Sequence, residues 1–157
     1  MCGSSGSYEA TTEEVEHPMS LSIRNQIAGT VTAVTTGEAM ATVKVRLEGG
    51  QDITAAITAD AVKDLGIAEG SAVKALVKAT EVALATAAVD GISIRNQLAG
   101  TVSDVATGGA MASVKVDVNG GGLTAAITKD AVEALGLAAG SSVVALIKST
   151  EISLATA

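Results

Sequence analysis

The chain is written twice. Ser22–Leu47 matches Ser93–Val118 at an offset of 71 with 18 of 26 positions identical, and Thr54–Thr86 matches Thr124–Thr156 at an offset of 70 with 22 of 33 identical. The one-residue slip falls where Gly50-Gln51-Asp52-Ile53 stands against Gly121-Gly122-Leu123, a turn in which a deletion is tolerated. A period of 70–71 residues is too long for a solenoid unit and suits two small domains. The 157 residues therefore divide into an N-terminal segment, 1–18, and two domains, 19–88 and 89–157.

Each unit is marginal by size. A domain of this length buries only about 60% of the surface its unfolded chain exposes, and the usual compensations are missing. There is no Trp and no Phe, while the single Tyr, Cys and His are Tyr8, Cys2 and His17, all in the first 18 residues. That excludes an internal disulfide framework and a zinc cluster. It leaves Ala, Val, Ile, Leu and Thr to build the interior. Association, between the repeats or between chains, is the expected stabiliser. Seventeen Gly against one Pro is the profile of strands with tight turns.

The patterning agrees. Gln26–Thr36 alternates and is rich in β-branched residues, so it predicts a strand. In Met40–Leu47, Val43, Val45 and Leu47 share one face, and Gly49-Gly50 turns the chain into a third strand, Ile53–Ile57. The period then changes. Thr58 is a helix N-cap, Asp60 lies in the first turn and Gly66 takes the C′ position. Two more strands, Ala72–Val77 and Glu81–Ala85, complete the unit. The order β-β-β-α-β-β predicts a mainly β protein of two tandem, small, OB-like five-stranded barrels, each with one short helix.

Charge narrows the function classes. The net charge is −7, and because Glu9, Glu13, Glu14 and Glu16 lie in the N-terminal segment the rest carries about −3. Nucleic-acid binding needs a basic groove and, for single strands, aromatic platforms, and the repeats have neither. No apolar run approaches the 18 residues of a membrane span, and no signal-peptide core is evident, so a cytoplasmic protein without membrane or nucleic-acid partners is expected. The acidic, aliphatic-poor segment 1–18 reads as a disordered tail or an added extension. No nucleophile–base pair is present that would suggest an enzyme.

Three short segments recur. They are Ser22-Ile23-Arg24-Asn25 with Ser93-Ile94-Arg95-Asn96, Ala56-Ile57-Thr58 with Ala126-Ile127-Thr128, and Lys78-Ala79-Thr80 with Lys148-Ser149-Thr150. Each copy thus carries an Arg beside a hydroxyl, a Thr at a helix start and a Lys ending a strand. These are hydrogen-bond donors, two of them cationic. Arg supplies a planar fork, Lys a point charge and a helix start its N–H groups, a set suited to a small dianion. Each also has an ordinary reading: a surface Arg, a plain helix cap, and a surface ion pair of Lys78 with Glu81 or Lys148 with Glu151.

Taken together, Ser-x-Arg-Asn-x-x-x-Gly-Thr-Val, then Ala-x-Ile-Thr before a short helix ending Leu-Gly, then Lys-Ala/Ser at a strand end, resembles the di-domain molbindins of the Mop/TOBE molybdate-binding family. The resemblance covers about residues 19–157. It implies cytoplasmic molybdate or tungstate binding for molybdenum storage or homeostasis, with the oxyanion held intact, no metal coordinated by side chains and no cofactor. It further implies a homotrimer with sites shared between neighbouring domains. By motif, Ser22 and Arg24 would reach across an interface to Thr58, Ala61, Lys78 and Ala79, and the second copy would use Ser93, Arg95, Thr128, Ala131, Lys148 and Ser149. Two positions depart from the family pattern. Ala61 and Ala131 stand where some members have Ser, leaving only backbone N–H there, and Thr80-Glu81 and Thr150-Glu151 stand where many have Pro-Trp. Those glutamates keep open an alternative, a structural or engineered trimeric assembly module of the same fold with no ligand role.

Overall fold

The computed structural model describes residues 21–119 and 121–156; the 1–18 segment lies outside them. The first repeat runs β1 (Asn25–Thr36), β2 (Met40–Leu47), β3 (Asp52–Thr58), α1 (Ala59–Leu65), β4 (Ala72–Val77), a 3-10 turn (Ala79–Glu81) and β5 (Ala83–Ala85). The second repeats this as β6 (Asn96–Thr107), β7 (Met111–Asp117), β8 (Gly122–Thr128), α2 (Lys129–Leu135), β9 (Ser142–Ile147), a 3-10 turn (Ser149–Glu151) and β10 (Ser153–Thr156). The predicted elements are present. One is displaced: the fifth strand begins at Ala83 rather than Glu81, because Glu81 N donates to Lys78 O at 2.9 Å and winds the preceding residues into the turn.

The helices form as the sequence dictates. Thr58 Oγ1 accepts from Ala61 N at 3.1 Å, and Gly66 ends the helix at φ 64 with its N–H directed back to Lys63 and Val62 carbonyls. Thr128 and Gly136 do the same for α2. Seven residues cannot sustain a helix alone. Val62 and Val132 anchor theirs to the core. In β1, Gly29 is required sterically: a Cβ there would meet Val45 Cγ1 at 2.6 Å and Arg46 O at 2.8 Å, and Gly100 faces the same constraint in β6. The long first strand crosses its neighbour too closely for a side chain.

The strand pairing departs from the repeat boundaries. The sheet orders are β10-β4-β1-β2-β3 and β5-β9-β6-β7-β8. Ser153–Thr156 pairs antiparallel with Leu76–Val73, and Ala83–Ala85 pairs with Leu146–Val144. Each five-stranded unit therefore takes its last strand from the other repeat. β10 also touches β3 and β5 touches β8, so each sheet curls toward closure. One continuous aliphatic core runs through both units, with Val43, Val45 and Val73 from the first and Leu98, Val114 and Leu123 from the second among its most buried residues. This sharing answers the marginal size of each repeat. Neither unit is complete without the other.

Candidate functional site

The Ser-Ile-Arg-Asn segments enter the first strands, and their asparagines are the surprise. Asn25 and Asn96 are 2% exposed, the only buried polar residues among those described. Asn25 Nδ2 donates to Thr124 O at 2.8 Å while its Oδ1 accepts from Thr124 N at 2.7 Å. Asn96 clamps Thr54 identically, at 2.9 and 2.7 Å. Each side-chain amide imitates a peptide group and extends a ladder from one repeat to the other. A buried amide with both ends satisfied contributes stability that its truncation would turn into a desolvation cost. Sequence reasoning assigned these segments to Ser and Arg and missed the Asn. A signal existed: the alternation Asn25, Ile27, Gly29, Val31 puts Asn25 on the inward face of β1.

The clamps fix where the charged residues stand. The β1–β4 register ends with Asn25 opposite Val77, so Arg24 and Lys78 are the next residues on the two chains; Arg95 and Lys148 follow Asn96 opposite Ile147 in the same way. Both cations of each copy thus gather at one end of a sheet. Ser22, Arg24, Lys78 and their counterparts Ser93, Arg95 and Lys148 are exposed, and Ala79 and Ser149 are half-buried. Arg24 Nη2 donates to Leu21 O.

Thr58 and Thr128 sit at the ends of β3 and β8, exposed. Their capping bonds engage the N–H of Ala61 and of Ala131, the donors that the motif assigns to the ligand. Because Thr58 Oγ1 accepts there, its own hydroxyl proton points elsewhere and is the donor each helix start offers.

The 3-10 turns cross the repeats. The turn Ala79–Glu81 packs on β8, and Ser149–Glu151 packs on β3. The strand ending in Thr58 is therefore covered by the turn that follows Lys148, and the strand ending in Thr128 by the turn that follows Lys78. Beside β8 a cavity of about 330 Å³ is lined by Thr80, Glu81, Ile94, Ala126, Ile127 and Lys148, mixing both repeats. The Lys78–Glu81 and Lys148–Glu151 ion pairs allowed by spacing do not form. The ion pair among the described residues joins Arg46 and Asp52 at 2.5 Å, on the surface at the β2–β3 turn. Its hydrogen bond holds the Asp52 carboxyl below the usual carboxylate range, with slight desolvation opposing and the Arg46 and Lys44 charges assisting. No group of His, Cys, Asp and Glu among the described residues could hold a metal ion, and no helix among them is long and apolar enough to cross a membrane.

The TOBE domain family model matches twice, over residues 21–84 and 92–154. The chain is 39% identical over 139 residues to the molybdenum transport protein ModE of Herbaspirillum seropedicae, covering 87% of this chain and 52% of that protein. It is 41% identical over 136 residues to the molybdenum-pterin-binding protein MopB of Rhodobacter capsulatus, covering 85% and 50%. The chain thus spans about half the length of these relatives. The crystal structure of the cytoplasmic molybdate-binding protein ModG with molybdate bound matches with a TM-score of 0.85 and 38% identity, covering 88% of this chain and all of that one.

Proposed function

The chain belongs to the TOBE domain family, as a tandem pair of such domains, and on that premise we propose that it binds molybdate, or tungstate, as an intact oxyanion in the cytoplasm, for molybdenum storage or homeostasis. The observation that carries this reading is the gathering of one Arg and one Lys at each sheet end, at the register step beyond Asn25–Val77 and Asn96–Ile147. The 38% identity over the full length of the molybdate-bound ModG chain supports it.

In this proposal the donors are Ser22, Arg24, Thr58, Lys78 and Ala79 from one repeat and Ser93, Arg95, Thr128, Lys148 and Ser149 from the other. Thr58 and Thr128 give their hydroxyl protons, while the N–H groups of Ala61 and Ala131 act by holding those hydroxyls in place. Two cations balance a dianion. A unit charge pair at 4 Å is worth up to about 4 kcal/mol at an effective dielectric near 20, before desolvation. Because the turns cross, the end that holds Arg24 and Lys78 lies with the strand ending in Thr128, and the end that holds Arg95 and Lys148 with the strand ending in Thr58; a homotrimer would bring further donors to each site across an interface. Size selects molybdate over sulfate, because only the larger ion reaches all donors together. The comparisons do not favour the assembly-module alternative, since the relatives are named for molybdenum handling. No reaction is part of the proposal.

The test is a comparison of single variants by molybdate titration. Lys148→Ala or Arg24→Ala should weaken binding by about tenfold or more, the cost of one charge-assisted hydrogen bond. Lys63→Ala, on the exposed face of α1, should change it less than about twofold on the same reasoning. Equal effects at all three positions would show that only general surface charge attracts the anion.

A further inference from the structure

The connection between the repeats has to double back. β5 pairs with β9 through Ala83–Leu146 and Ala85–Val144, and β6 pairs with β9 through Gln97–Leu146 and Ala99–Val144. β5 and β6 thus flank β9, both antiparallel to it, and run parallel to each other. Parallel strands need a crossover. Residues 86–95 make it without a helix or strand of their own, so their backbone N–H and C=O groups must find partners elsewhere.

Gln97 supplies partners at the crossing. Its Oε1 accepts from Val89 N at 3.1 Å, and its Nε2 donates to Val89 O at 2.9 Å and to Ile94 O at 3.3 Å. Asn96 and Leu98, its neighbours in β6, are buried in the core, so by alternation Gln97 stands on the outer face of the sheet, half-buried. The bond from Val89 N–H fixes which end of the amide is oxygen, and both amide hydrogens are committed to carbonyls. The side chain therefore staples segment 89–97 into a closed loop, with Ser93 and Arg95 inside it. Ile94, held by its carbonyl, lines the cavity that Lys148 also lines. In the first repeat Gln26 makes the equivalent short bond, donating to Ile23 O at 3.0 Å.

We propose that Gln97 is a positioning residue for the oxyanion site: it holds the arm that carries Ser93 and Arg95 in its binding geometry before the anion arrives. This rests on the oxyanion reading of Ser93 and Arg95 given above. Gln97 has no hydrogen left to offer the anion, so it acts only through the arm. An irregular arm left loose would have to be ordered at the moment of binding, and that conformational entropy would be subtracted from affinity.

The arginine side-chain Nε–H resonances of the full-length protein test it. The chain has three arginines, Arg24, Arg46 and Arg95, and Arg46, tied to Asp52, is an internal reference. In the unmodified protein, sodium molybdate at constant ionic strength should move the Arg24 and Arg95 signals saturably and leave Arg46 in place. Gln97→Met keeps the bulk and loses the three bonds. The molybdate midpoint read at Arg95 should then rise about fivefold or more, while the midpoint read at Arg24 changes less than about twofold. Gln97→Glu, which keeps only the bond from Val89 N–H, should act in the same direction. Midpoints that rise together at Arg24 and Arg95, or an Arg95 midpoint that stays in place in either variant, would overturn the positioning role and leave the oxyanion reading standing. An Arg95 signal that ignores molybdate in the unmodified protein would overturn both.

Discussion

The first repeat carries Arg46, Glu48, Gln51 and Asp52 around its β2–β3 turn, and the second carries Asp117, Asn119, Gly121 and Gly122 around the equivalent turn between β7 and β8. Elsewhere the repeats are near copies, with matching strands, helix caps and asparagine clamps. On one side the turn yields an ion pair and a glutamine plugged into the partner repeat; on the other it yields a cavity. The lesson is that duplication preserved what holds the two halves together and left one joint free to diverge. Residues doing equivalent work in both halves should respond alike to mutation. Residues at the divergent joint should not.

The largest test concerns the core beneath that joint. Leu98 is 1% exposed, whereas its counterpart Ile27 is only partly buried against the same core. Leu98→Ala should cost about 2–5 kcal/mol by cavity formation and Ile27→Ala distinctly less, read by denaturant unfolding. The clamps should instead behave as equals. Asn25→Ala and Asn96→Ala each orphan a threonine N–H and C=O, and each should cost roughly 2–4 kcal/mol, with the same loss for both. A large difference between them would break the symmetry on which the comparison rests. Gln51→Ala, with its half-exposed bonds to Ala99 and Val118, should cost only about 1 kcal/mol.

The smallest effect belongs to the surface ion pair. Asp52 titrates below its unfolded value because Arg46 bonds its ionised form. Its contribution is therefore complete above the unfolded carboxylate range, near pH 3.9, and disappears as pH falls through the lower folded value. Melting curves of Asp52→Asn should show a slight deficit at neutral pH that vanishes on acidification below about pH 4. Asp117→Asn, where the opposing residue is Gly122, should show none.

Much of the fold was legible in the sequence because it is local. Thr58 and Gly66 announce a helix, and Val43, Val45 and Leu47 announce a strand buried on one face. The exchange of last strands was not legible. Ala83-Leu84-Ala85 and Ser153-Leu154-Ala155 present the same alternating edge, so either fits either sheet, and no local pattern states which one it joins. The candidate site was legible only as side-chain chemistry, for a related reason. Arg24, Thr58 and Lys78 have side chains whose chemistry declares itself, whereas the role of Asn25 depends on Thr124, 99 residues away.

Calorimetric titration of the purified protein with molybdate, with sulfate as the competing anion, tests the central claim most directly. The account predicts saturable heat at micromolar molybdate that a large excess of sulfate fails to displace. No heat at that concentration, or equal binding of both anions, would contradict it.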